Sequence, residues 1–169
     1  VEVTDAAVTM NDANGVAVAA TELSAIGGAT TGTVTVSNAV AITGDHDQVT
    51  AALVTSGTNV AVTAATVTLN DANGTGITAA ELSAIGGTTT GTVTVSNAVD
   101  ITGDHDQVTA ALVTAGTKVV ASTATVTIND ANEVAVAATE LAAIGGVTTG
   151  TVTVTNAVAI SGTTSEMIA

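Results

Sequence analysis

The chain has 169 residues, and its formal charge of −14, with Lys118 as the one Lys or Arg, excludes nucleic acid and anionic membrane surfaces as partners. Thr, Ala, Val and Gly, at 36, 34, 27 and 17 residues, fill most of it, while Phe, Tyr, Trp, Cys and Pro are absent. A ring-filled enzyme core, disulfide stapling and collagen are thereby set aside, and a mean hydropathy of +0.58 argues against disorder. No apolar run approaches the length of a membrane span, so no membrane insertion is expected.

From the amino terminus onward the sequence repeats. Asn11-Asp12-Ala13-Asn14 returns at Asn70-Asp71-Ala72-Asn73 and at Asn129-Asp130-Ala131-Asn132, a step of 59 residues. Glu22, Glu81 and Glu140 keep the step, as do His46 and His105. Residues 11–69 and 70–128 are full copies; 1–10 and 129–169 are partial ones. The expectation is one continuous segment over 1–169, a window of a longer array.

Each unit divides into two halves built to one plan: a short helical start, a glycine break, a strand, a small turn and a second strand. The first half opens at Ala19–Gly28 and continues through Thr33–Val36 to Ala39–Gly44. The second opens at Asp45–Leu53, turns at Ser56-Gly57 and continues through Asn59–Val62 to Thr66–Asp71. Asp104 with Gln107, Thr163 with Glu166, and Thr78 with Glu81 have the spacing of a capping box. Val34 and Val36 alternate with Thr33 and Thr35, as Val67 and Leu69 do with Thr66 and Thr68, the period of a half-buried strand. Halves of about 26 and 33 residues are too short to bury an apolar face alone, so stacking must complete the core. These features predict an all-β fold: a β-solenoid of 59-residue repeats, two coils each, with a short helical turn at one corner of each coil. A sandwich of hairpins or a propeller-like array fits less well, because the helical starts recur and Asn-Gly hairpin signals are few.

The run Glu81-Leu82-Ser83-Ala84-Ile85-Gly86-Gly87, with Thr92-Val93-Thr94-Val95-Ser96-Asn97 after it, resembles repeats of very long secreted or surface-attached bacterial proteins, notably cyanobacterial and aquatic ones. The resemblance covers nearly the whole chain. It implies an extracellular scaffold, adhesin stalk, sheath or fibre, and it brings no catalytic residues with it.

Two patterns carry potential chemistry. Asp45 and Asp47 flank His46, and Asp104 and Asp106 flank His105. Asp-x-Asp supplies two oxygens to a hard cation, which makes these four acids candidate metal ligands, with Ca²⁺ the natural ion. The same acids also suit a helix start, the first as cap and the second against the positive helix end. The third copy, Thr163-Thr164-Ser165, keeps only the cap. The second pattern is Thr-x-Thr: Thr33 and Thr35, Thr66 and Thr68, Thr92 and Thr94, Thr125 and Thr127, Thr151 and Thr153. Outward ladders of these residues would offer an ice-binding or glycan-bearing face; strand propensity alone also accounts for them. Asn73-Gly74-Thr75 forms one glycosylation sequon. No catalytic triad can be assembled from two histidines in copies of one loop. The expected function is a non-enzymatic structural segment of an extracellular bacterial filament, sheath or adhesin stalk, with itself as partner in end-to-end assembly and with glycans as further partners. The alternative is a ligand-binding surface, for divalent cations at the Asp loops or for ice at the threonines.

Overall fold

The structure, a computed structural model, describes residues 4–168. The chain begins with β1 (Val8–Met10), β2 (Ala17–Ala19), α1 (Ala20–Gly28), β3 (Val34–Val36) and β4 (Ala41–Gly44). α2 (His46–Val49) runs directly into a π-helical turn, Thr50–Val54, before β5 (Val60–Val62) and β6 (Thr66–Leu69). The second unit repeats this with β7 (Gly76–Thr78), α3 (Ala79–Gly86), β8 (Val93–Val95), β9 (Asp100–Gly103) and α4 (His105–Val108). A second π-helical turn, Thr109–Val113, leads to β10 (Val119–Val120) and β11 (Thr125–Ile128). The third unit gives β12 (Ala135–Ala137), α5 (Ala138–Gly146), β13 (Val152–Val154), β14 (Ala159–Ser161) and α6 (Thr164–Met167).

This architecture overturns the expected all-β solenoid. The fold is mixed α/β, 29% helix and 27% strand, and its strands form separate parallel sheets. Their orders are β1-β3-β5, β10-β8-β6-β4-β2, β13-β11-β9-β7 and β12-β14. The segments read as corner turns are helices of their own. α1 and α5 span nine residues each, and α2 and α4 are prolonged by π-helical turns. A helix this short is unstable alone; here tertiary packing holds it, since Leu23, Leu82 and Ile144 are fully buried beneath the strands.

Parallel pairing needs a crossover, and each helical segment supplies one. The registers align the interior by columns. Val18, Ile42, Val67, Val93 and Val119 stand opposite one another across the second sheet, and all are buried. Ile77, Ile101, Val126 and Val152 align likewise in the third, the first three buried and Val152 half-buried. Burying one such side chain contributes about 1.5–3 kcal/mol, so these aligned columns substitute for the missing aromatic rings.

Glycine matters where backbones approach most closely. A Cβ on Gly91 or Gly150 would strike the carbonyl oxygen of Ala65 or Ala124. The preceding threonines hold these crossings: Thr89 Oγ1 donates to the Ala65 carbonyl at 2.6 Å and Thr148 Oγ1 to that of Ala124 at 2.5 Å. The Thr-Thr-Gly turn therefore fixes the spacing between successive layers.

Candidate functional site

The second and third Asn-Asp-Ala-Asn motifs each join three layers of the chain. Asp71 illustrates it. Its carboxylate reaches back to His46, while its backbone carbonyl accepts from the Asn97 amide at 2.6 Å. Asn73 Oδ1 accepts the Ala98 N–H at 3.1 Å. Asp130 repeats the clamp with His105 behind it and Asn156 ahead, again at 2.6 Å, and Asn132 receives the Ala157 N–H. In the first unit Asn38 donates to the Asp12 carbonyl at 2.6 Å and Asn14 receives the Ala39 N–H.

The histidine end of the clamp sets a buried carboxylate against an imidazole. His46 Nδ1 lies 2.6 Å from Asp71 Oδ1, and the His46 backbone N–H donates to Asp71 Oδ2 at 3.0 Å. In the second copy the corresponding distances to Asp130 are 2.7 and 2.9 Å. Asp71 and Asp130 are only 4% and 6% exposed, and a buried carboxylate needs such partners. An ionised carboxylate only accepts hydrogen bonds, so Nδ1 donates to it and Nε2 is the ring nitrogen that faces outward.

Nε2 faces further acid. Asp47 Oδ1 stands 3.6 Å from His46 Nε2, and Asp106 Oδ1 stands 3.6 Å from His105 Nε2. The Asp130 hydrogen bond is the chief reason that the His105 pKa is raised; the charges of Asp130, Asp106 and Glu140 act in the same direction and outweigh burial. At His46 burial is the largest single influence and pushes the imidazole down. The Asp71 hydrogen bond, with the charges of Asp71, Asp47 and Glu81, outweighs it, and the pKa is again raised. Glu81 is held below the usual carboxylate range, chiefly by its hydrogen bond from the Thr78 hydroxyl.

The four acids singled out by sequence separate into two roles. Asp45 and Asp104 cap α2 and α4, each accepting at 2.8 Å from the N–H of Gln48 or Gln107. Asp47 and Asp106 are exposed beside the imidazoles. Sequence reasoning did not join His46 to Asp71 or Glu81, nor His105 to Asp130 or Glu140. One signal was there: the interval from histidine to Asp is 25 residues in both copies, close to the interval at which strands pair.

The threonines form short rows. Thr43, Thr68 and Thr94 align in the second sheet, and Thr102, Thr127 and Thr153 in the third. Thr35 aligns with Thr9 and then with Ala61, while Val120 follows Thr94. Thr66 stands opposite Ala41, and Thr125 opposite Asp100, to whose carboxylate it donates. Thr33, Thr92 and Thr151 precede their strands and lend backbone carbonyls to Val8, Val67 and Val126. A surface depression of about 850 Å³ lined by Thr4, Asp5, Thr30 and Asn59 contains neither histidine. No protein-family model, curated protein or solved structure matches this chain.

Proposed function

We propose that the chain is a non-enzymatic structural segment of an extracellular filament, assembling end to end with further copies of itself. The observation that carries this reading is the Asp clamp. It ties each layer to the one before and the one after, with the same atoms in successive units. Repetition of a hydrogen-bonded interlock suits a load-bearing array, in which each unit is stable only against its neighbours.

Between neighbouring units the repeat's apolar positions are covered: Val67, Leu69, Val126 and Ile128 are buried, as are Ile42 and Ile101. A further copy of the same sequence offers the same covering surface, which is what stacking of like units requires. Electron microscopy of the purified protein, with EDTA present, tests the reading. Uniform filaments whose length grows with protein concentration are expected. Discrete particles of one size at every concentration would overturn it.

A further inference from the structure

We infer that His105 Nε2, Asp106 and Glu140 form a binding site for a transition-metal dication of the Zn²⁺ class. The ligand atoms of His105, Asp106 and Glu140 lie within 4.8 Å of one another. Metal–ligand distances of about 2.0–2.2 Å would draw them closer, and Asp106, 85% exposed at its side chain, is free to move inward.

The arrangement behind the imidazole is what distinguishes this cluster from an ordinary group of surface acids. Asp130 grips His105 twice, at the backbone N–H and at Nδ1. That grip fixes the ring's orientation and leaves Nε2 on the side of Asp106 and Glu140, where it can take an ion in exchange for its proton. A carboxylate behind a histidine, with the other ring nitrogen turned outward, is the supporting arrangement of metal-ligating imidazoles, and it raises the basicity of the ligand. The first copy has the same grip from Asp71 and the same 3.6 Å approach of Asp47, but among the described residues only His105, Asp106 and Glu140 bring three ligand atoms within 4.8 Å of one another.

The donor set decides the ion. One imidazole nitrogen with two carboxylates suits Zn²⁺ and its neighbours, whereas Ca²⁺ prefers six to eight oxygens. Asp45 and Asp104 cap their helices and stand outside the set, while Glu140, whose Oε2 accepts from the Ala137 N–H at 3.0 Å, has a second oxygen to offer. The third copy carries Thr164 and Ser165 at the positions of His and Asp, so one ion per chain is expected. The site joins α4 to α5, and a bound ion would tie neighbouring layers together. The inference stands apart from filament assembly, which needs no metal.

Calorimetric titration of EDTA-stripped, dialysed protein with Zn²⁺, and separately with Ca²⁺, tests it, with Co²⁺ absorption as a second readout of nitrogen and oxygen ligation. One Zn²⁺ per chain and at least tenfold weaker Ca²⁺ binding are expected. Asp106→Asn and Glu140→Gln, which leave the His105–Asp130 grip in place, should each weaken binding at least tenfold. His105→Gln should abolish it, and circular dichroism of each variant reports whether it has folded. Absence of Zn²⁺ binding at 100 micromolar would overturn the inference. So would equal binding of the two ions, or a Zn²⁺ isotherm unchanged in the folded Asp106→Asn and Glu140→Gln variants.

Discussion

The helical and stranded sides of the molecule carry the same repeat in different ways. On the helical side contact is unbroken: α1 packs against the Thr50–Val54 turn, that turn against α3, α3 against Thr109–Val113, and that turn against α5. On the stranded side the sheets stop and restart, the first after β5 and the second after β10. Continuity therefore comes from helices and from the Asp clamps, while each sheet is a finite block. Truncating a helix should accordingly cost far more than truncating an outward strand residue. Leu82→Ala removes a side chain with no exposure and is expected to destabilise by about 2–5 kcal/mol. Thr68→Ala, on the outer row of β6, should stay within about 0.5 kcal/mol of the parent. Urea midpoints of the two variants measure the difference, and comparable losses would remove the distinction between the two sides.

The clamp itself can be tested through pH. Both imidazoles have folded-state pKa values above the ordinary 6.5. The protonated form is the one favoured by folding, so this stabilisation is complete below about pH 6.5. It is lost as pH rises through the raised folded-state value. With EDTA present, urea midpoints should therefore fall on going from pH 6 to pH 9. Asp130→Asn weakens the charge-assisted bond to His105, with an expected loss of about 1–3 kcal/mol at pH 6. It should also flatten the pH dependence, because the Asp130 hydrogen bond is the chief cause of the raised pKa. A variant whose midpoints still fell as steeply with pH would show that the dependence arises elsewhere.

A smaller contrast separates the helix starts. Thr78 caps α3 in both directions: its hydroxyl accepts from the Glu81 N–H at 3.2 Å, and Glu81 accepts from the Thr78 N–H at 2.9 Å. At α1 the cap position is Ala19, and only the return bond exists, from the Ala19 N–H to Glu22 at 3.1 Å. Ala19→Thr should supply the missing acceptor and stabilise by about 1 kcal/mol, read as a higher thermal midpoint. An unchanged midpoint would mean that this end of α1 is satisfied by solvent.

The sequence was informative where chemistry is local. The boxes at Thr78, Asp104 and Thr163 each lie within four residues, and all three form. The Thr/Val alternation correctly marked β3, β6, β8, β11 and β13. Helix length was hidden, because Ala-rich runs such as Ala138–Gly146 gain their stability from packing onto strands rather than from propensity. Sheet boundaries were hidden for a related reason: pairing register is a tertiary property, and nothing within Val60–Val62 says that it ends a sheet. The same applies to the candidate site. Asp47 and Asp106 were visible as acids, yet Asp71, Asp130, Glu81 and Glu140 join them only once the layers are stacked.

The smallest expected effect concerns one backbone position compared across three units. Gly15, Gly74 and Glu133 each donate a backbone N–H at 2.8 Å to the following layer, to the carbonyls of Ala39, Ala98 and Ala157. All three have left-handed backbones, with φ of 77°, 76° and 68°. Glycine takes this conformation freely, whereas a residue with a Cβ carries a steric cost of about 1–2 kcal/mol. Glu133→Gly relieves that cost, and the greater freedom of glycine in the unfolded chain returns about half of it. A net gain of about 0.5 kcal/mol is expected, and loss of one carboxylate from a chain of charge −14 acts in the same direction. Glu133→Gln separates the two contributions, because it removes the charge and keeps the Cβ. A gain from Glu133→Gly that Glu133→Gln fails to reproduce would assign the effect to backbone strain, and equal gains would assign it to charge.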